Sequence, residues 1–545
     1  NNKDFCDFQL PSWRPGRYQI QNFAKNVRNF QAFTANSKPL FHSKVDKNTW
    51  RVTTEVVEEI KVSYSYLARH MDAGGTWIDE TQWYINFINC AMLVNGEGDK
   101  PCEVLLEIPD SWQVAGSLQK IAPKLLKATN YFELVDSPII ASSSLQHFEY
   151  TCSNTLFHIW FQGKVALDDE KLLNEFKKFT AYQIKLFGTF PTETYHFLFQ
   201  ILPYSHYHGV EHAKSTVITL GPDYAFNTEK VYADFLGVSS HELFHTWNVT
   251  RLRPVEMMPY NFFKENYFET GFIAEGITTY YGDYILKCSG VFTTRQYLQE
   301  INKLLKRHFL NRGRFHGSLT DSSVDLWLDG YEKGITGRKV SIYVKGALTA
   351  MILDLQLRFD SNGEKSLDAV IQTMWKKFAQ SGYTIEDYKA VVNDIADNDM
   401  YQYFKGFIEG TLPIENTLSL LLPAFGLNFK KKQADSYAAK HFGLQLNINK
   451  NSITISDLAE GSPAANCLEI GDEIVALNNV KPDKNHEIIF QLHREITVHL
   501  FRNNSLKKIL LKSDASHYYE TYEVEINKDA DAQSVMLRKG WLGEL

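Results

Sequence analysis

Cysteine is scarce in this chain of 545 residues. There are six, at Cys6, Cys90, Cys102, Cys152, Cys288 and Cys467, with no CxxC pair among them. That spacing excludes a small disulfide scaffold and a cysteine-based metal site. Most of these residues read as buried thiols, and a bridge between Cys90 and Cys102 stays open. An excess of positive charge is also lacking. The net charge is −7 with both signs interspersed, which excludes a nucleic-acid footprint and a basic membrane-binding face. No apolar run reaches the ~20 residues that a membrane-spanning helix needs. The chain begins without Met and without a charged-then-apolar leader, so it reads as soluble, either cytoplasmic or exported with its leader removed.

What is present is patterned in blocks. A length prior of ~150 residues per domain gives roughly three or four domains. Residues 1–160 read as a β-sandwich-like domain, because the runs at 50–68, 82–95, 102–109 and 147–153 are β-rich and separated by turn residues. Residues 161–435 are mostly helical. Helical spacing covers 167–188, closed by Gly188, then 228–248, then 272–290, closed by Gly290, and then 294–310, 344–359, 366–382 and 384–397; a strand is expected at 195–203. KKKQAD (430–435) reads as a linker. Residues 436–515 form short strands with one helix, and 516–545 remain as a tail, with a strand in YETYEVEI and a short helix in QSVMLRKGWLG. The fold class is multidomain α+β.

HELFH at 241–245 carries the chemistry. His241 and His245 stand four apart, so on a helix both imidazoles can reach one metal ion, with Glu242 placed against a metal-bound water. The same string also fits a helix whose histidines face solvent. A catalytic zinc needs a third protein ligand and an open position. Glu275 is the leading choice, thirty positions after His245 in FIAEGITTYY. Its neighbours Phe272, Ile273 and Ala274 are apolar, and an ionised carboxylate among them requires a partner. Two more residues fit an exopeptidase. Glu211, in HGVEH (208–212) on an edge strand bent at Gly209, can bind a substrate α-ammonium. Tyr343, in SIYVKGAL (341–348) just ahead of a helix, can donate to a developing oxyanion, although among 28 tyrosines any one is structural by default.

These residues bring a resemblance into view. The chain resembles the glycyl aminopeptidase family of gluzincin metallopeptidases that carry a C-terminal PDZ domain. LPSWRPGRYQIQNFAKNV (10–27) is similar to the signature of that family's N-terminal β domain. HGVEHAKS (208–215) is similar to its GGLEHxxS segment, HELFHTWNVTRLRP (241–254) to its extended metal helix, FIAEGITTYYGDY (272–284) to its third-ligand helix, and SIYVKGAL to its tyrosine segment. The resemblance implies one Zn2+ per chain held by His241, His245 and Glu275. It implies Glu242 as general base, Glu211 near the substrate amino terminus and Tyr343 as oxyanion donor. It further implies a thermolysin-like catalytic domain over 161–435, a PDZ domain over 436–515 that takes a peptide C-terminus, and substrates beginning with Gly or Ala. The chain departs from the pattern at His208, where the family usually has glycine, an exchange expected to narrow the S1 end of the cleft. YEKG (331–334) offers Tyr331 as a rival to Tyr343, but a loop follows Tyr331 whereas a long apolar helix follows Tyr343. A zinc endopeptidase is one alternative reading. An inactive peptidase-like scaffold that binds peptides through its PDZ domain is the other, and the presence of all three ligands and the base argues against it.

Overall fold

The computed structural model describes residues 4–54, 59–332, 334–449, 452–482 and 486–544. At its centre lies a mixed five-stranded sheet, ordered Gln146–Cys152, Thr155–Gln162, Thr194–Ile201, Ser215–Gly221, His206–Glu211. The outer pairs are antiparallel and the two inner junctions are parallel. The first parallel junction requires a crossover, supplied by the helix Asp169–Phe187. Alternation along the strands separates two cores. Phe157, Phe161, Phe197 and Phe199 pack on Phe176 and Phe235 of the helical side. Trp160, Leu198, Val210 and Val217 pack on Tyr84, Ala115 and Ile140 of the amino-terminal region. The strand expected at 147–153 and its partner therefore belong to the sheet beneath the HELFH helix. The strand carrying Glu211 is an edge strand, as expected.

Residues 5–142 are β-rich, with sheets of four, five, three and two strands. The 82–95 run, expected as one strand, breaks into Gln82–Ile85, a helical turn Phe87–Cys90, and Leu93–Val94. Buried Asn86 and Asn89 cause the break. Their side-chain amides donate to the Gly75 carbonyl (2.8 Å) and the Gly74 carbonyl (3.0 Å), pulling the chain out of the ladder. Cys90 and Cys102 are free thiols, so the bridge left open by the sequence is not formed. Of the 50–68 run, residues 55–58 lie outside the described residues, with strands Thr49–Thr53 and Ile60–Tyr66 on either side.

On the helical side, Thr228 caps the helix Glu229–Phe244, and Thr278–Cys288 packs beside it. Val344–Asp360 is buried on nearly every side and forms the axis of this region. KKKQAD is not a linker. Its lysines lie in the strand Leu427–Lys432, which pairs antiparallel with Thr521–Ile526. The ladder is closed by Asn302, whose side chain bonds both the N–H (2.7 Å) and the carbonyl (3.0 Å) of Val524. The terminal helix Ala532–Trp541 is not a free tail either. Trp541 is fully buried, its indole N–H donates to the Tyr280 hydroxyl (3.0 Å), and its carbonyl accepts from Tyr284 (2.7 Å). The intervening residues form a separate unit with its own core of Phe442, Leu444, Ile455, Phe490 and Val498. Among the described residues, that unit has five antiparallel strands between Leu444 and Lys512 and two helices, Tyr437–Phe442 and His486–Leu492, where the sequence suggested one. It is thus an insertion between two paired strands of the helical region. Among the described residues, no helix is long and apolar enough to cross a membrane.

Candidate active site

The HELFH helix ends as its motif ends, with His245 at the C-cap. The His245 Nε2 lies 3.1 Å from His241 Nε2 and 3.4 Å from Glu275 Oε2, and His241 Nε2 lies 3.9 Å from the same oxygen. A tetrahedral ion with ~2.0–2.1 Å bonds holds its ligand atoms ~3.3 Å apart. The three residues predicted as metal ligands are therefore brought together at separations that suit such an ion.

Two of the three residues are oriented from behind. His245 Nδ1 donates to the carbonyl of Asn248 (2.8 Å), which leaves Nε2 to face the centre. Glu275 Oε1 accepts from the Tyr18 hydroxyl (3.0 Å). Glu275 itself sits in a π-helical turn, Phe272–Ile277, set into the start of its helix. A π turn leaves carbonyls without their usual partners. The Asn248 amide supplies them, donating to Ile273 O (2.9 Å) and Ala274 O (3.3 Å). One asparagine thus fixes the second histidine through its backbone and the third ligand's turn through its side chain. The chain reverses just after it at Val249, whose φ of +100° is strained for a β-branched residue. Arg251 ties this turn to the connection that follows the edge strand by donating to Thr246 O (2.7 Å) and Ala213 O (3.1 Å).

Glu242 and Glu211 are both buried, and each keeps one carboxylate oxygen without a partner, Oε2 and Oε1 respectively. Glu242 lies against the backbone of the edge strand so closely that a Cβ on Gly209 would stand 2.2 Å from its Oε1. Gly209 is needed for that contact, beyond any bend. Glu211 is met in the same way by Gly16 at φ +75°, where a Cβ would stand 2.6 Å from Oε2. Burial pushes Glu242 well above the ordinary carboxylate range, and the neighbouring Glu211 and Glu275 add to the rise. Burial also raises Glu211. Against its own burial, Glu275 is held low by His245, His241 and the Tyr18 hydroxyl. Burial takes His241 down to about 3. Burial pulls on His245 too, but Glu275, Glu211 and Glu242 outweigh it and raise it to about 10.

Tyr343 stands at the entrance to the axial helix, as expected, and its hydroxyl is raised by burial and by Glu275. Tyr331 is not remote from it. The two phenols lie side by side and influence each other's ionisation, and Arg17 lies 4.7 Å over the Tyr331 ring. Lys333 of the YEKG segment lies outside the described residues. His208 faces the amino-terminal region. Its Nδ1 sits 3.6 Å from Asp72 of the amino-terminal region, and it does not border the cavity beside Glu211. Reasoning from the sequence missed Tyr18 and Asn248, although both stand inside quoted motifs, WRPGRY and HTWN.

Residues 1–143 match the Peptidase M61 N-terminal domain, and residues 234–349 match the M61 glycyl aminopeptidase family. No curated protein matches the chain. Among solved structures, an aminopeptidase N family protein from Idiomarina loihiensis is 25% identical with a TM-score of 0.90, covering 99% of this chain and 96% of that one. A more distant likeness is to the M1 zinc metallopeptidase of Deinococcus radiodurans bound to a Tyr-Ser-Ala substrate. It is 15% identical with a TM-score of 0.47, over 75% of this chain and 87% of that one. With both family domains matched in order, the chain carries the amino-terminal domain and the catalytic domain that mark the M61 glycyl aminopeptidases.

Proposed function

We propose that the protein is an aminopeptidase, with one zinc held by His241, His245 and Glu275. The observation that carries this reading is the buried charge of the cleft. Glu211, Glu242 and Glu275 are three buried carboxylates around two imidazoles. Buried charge is costly unless it is paired. A divalent ion together with one substrate ammonium balances three carboxylates, and the unpartnered Glu211 Oε1 and Glu242 Oε2 are acceptors for the ammonium and for a water.

When bound, zinc polarises the scissile carbonyl and acidifies the attacking water. The chain's own residues do the rest. Glu242 takes the water's proton and returns it to the leaving amine, a role suited to a carboxyl raised by burial. Glu211 holds the free amino group and so fixes cleavage one residue from the chain start. Tyr343 donates to the oxyanion, with Tyr331 beside it to orient that hydroxyl. Tyr18 and the Asn248 carbonyl keep Glu275 and His245 aimed. By resemblance, the first residue is Gly or Ala, the helical region is a thermolysin-like domain, and the inserted unit is a PDZ domain. The last of these is supported by the edge strand Leu444–Ile448, which is free to accept an added peptide strand.

Hydrolysis of a panel of aminoacyl anilides, with and without chelator, tests this reading. Cleavage of free but not N-acetylated substrates, abolished by chelator and restored by zinc, is the expected result. Equal cleavage of acetylated peptides would make the enzyme an endopeptidase instead.

A further inference from the structure

Among the described residues, three clusters of His and Glu bring metal-ligating atoms within 4.8 Å of one another. Two of them share His245 and make up the catalytic group. The third, His147, Glu149 and His158, has no part in the chemistry above. It lies on the strands Gln146–Cys152 and Thr155–Gln162, at the edge of the central sheet opposite the strand that carries Glu211. With neighbouring strands ~4.8 Å apart, the two edges of five strands stand ~19 Å apart, so this cluster does not share the catalytic ion.

The sheet register gathers the three side chains. His147 and Glu149 stand two apart and share a face. Glu149 is the register partner of His158, and His147 that of Trp160. His147 Nε2 lies 3.0 Å from His158 Nδ1, and Glu149 Oε2 lies 3.6 Å from the same Nδ1. These separations bracket the ~3.3 Å between ligand atoms of a tetrahedral ion with ~2.0–2.1 Å bonds. The rings are also held in place. His147 stacks on Trp160 with centroids 3.7 Å apart, and His158 stacks on His196 at 4.5 Å. Trp160 Nε1 in turn donates to His196 Nδ1 (3.3 Å). A hydrogen bond between the two imidazoles explains their 3.0 Å contact. It does not explain the approach of Glu149, which is too distant for such a bond. Burial lowers both rings below the usual histidine range, with Lys120 adding to the fall and Glu149 opposing it. Neutral imidazole is the form that ligates.

We propose that His147, Glu149 and His158 form a second divalent-metal site, suited to Zn2+, on the sheet edge away from the catalytic centre. The inference does not rest on the aminopeptidase reading. Two imidazoles and one carboxylate suit zinc, whereas Ca2+ and Mg2+ take oxygen ligands. On binding, the N–H between the rings moves to an outer nitrogen. His147 Nδ1 and His158 Nε2 then carry the ring protons, and both inner lone pairs meet the ion. The ion ties the edge strand to its neighbour. His147 and Glu149 are exposed and Lys120 opposes a cation, so this ion leaves in metal-free buffer while the buried catalytic centre keeps its own.

The full chain carrying His241→Ala and His245→Ala lacks the catalytic ligands and reads this site alone. Equilibrium dialysis against micromolar Zn2+ should find one equivalent bound, with a higher midpoint of thermal unfolding than without Zn2+. Adding His147→Gln should weaken binding by more than the ~10–100-fold lost with a partner behind a ligand, and should abolish the thermal shift. Binding only at millimolar Zn2+, an adventitious ion only, would overturn the site. So would an equivalent that survives His147→Gln, or an equal thermal shift with Mg2+ or Ca2+. If the doubly substituted chain fails to fold, the wild-type chain at micromolar Zn2+ should hold one equivalent more than its His147→Gln variant, and equal counts would overturn the site.

Discussion

Tyr18 shows what a single hydroxyl does here. It comes from the amino-terminal β region and reaches Glu275, 257 residues away in sequence, across 3.0 Å. Its ring packs on Phe268 and Trp327, so Tyr18→Phe removes the hydrogen bond and keeps the packing. Partners behind metal ligands are typically worth ~10–100-fold in metal affinity. Titration with a competing chelator should therefore show Tyr18→Phe binding zinc more weakly by about that factor, with little change in thermal unfolding of the metal-free protein. That His241, His245, Glu242 and Glu275 gather at one place was legible in the sequence, because helical spacing and one helix hairpin sufficed to bring them together. Tyr18 was not legible as a partner, because no local pattern reveals a contact between distant segments. Nor did the sequence show that Tyr331 lies beside Tyr343, since their neighbourhood is made by tertiary packing.

Helices and strands were mostly visible as periodicity, and the misreadings have local causes. The 82–95 run broke where Asn86 and Asn89 found backbone partners, and the lysines of 430–432 read as linker although Lys430 and Lys432 pair with Glu525 and Glu523 across a ladder. Asp283, on the helix after the π turn, makes a prediction at this scale. A Cβ on Gly237 of the HELFH helix would lie 3.1 Å from its Oδ1. Burial, and then Glu300, push its carboxyl up to about 7. The unfolded chain ionises this group near pH 4 and the folded one near pH 7. Between those values the native state binds more protons, so stability falls as pH rises. At ~1.4 kcal/mol per pH unit, the loss reaches up to about 4 kcal/mol by pH 7. Asp283→Asn should raise the midpoint of thermal unfolding at pH 8 and leave it nearly unchanged at pH 4. Equal gains at both pH values would show that Asp283 is ionised throughout.

The whole molecule is discontinuous in sequence. The inserted unit has a core separate from that of the helical region, and its two ends meet at Lys432 and Thr521, which are register partners in one ladder. Replacing residues 433–520 with a short turn should leave a folded peptidase that binds zinc. Stopping the chain at residue 513, by contrast, removes the strand Thr521–Ile526 and buried Trp541. Loss of a Trp-sized core residue alone costs ~3–5 kcal/mol, so that truncation should be insoluble or unfolded by circular dichroism. Reading the sequence from start to end hid this arrangement, because two strands 90 positions apart carry no signal that they pair.

The central claim is that Glu242 moves the proton at a zinc held by His241, His245 and Glu275. The measurement that tests it most directly is the rate at which zinc-loaded Glu242→Gln hydrolyses alanine p-nitroanilide. The account predicts a chain that retains one zinc and is slower than wild type by ~10²–10⁴-fold. A Glu242→Gln enzyme that carries zinc and works at the wild-type rate would contradict it.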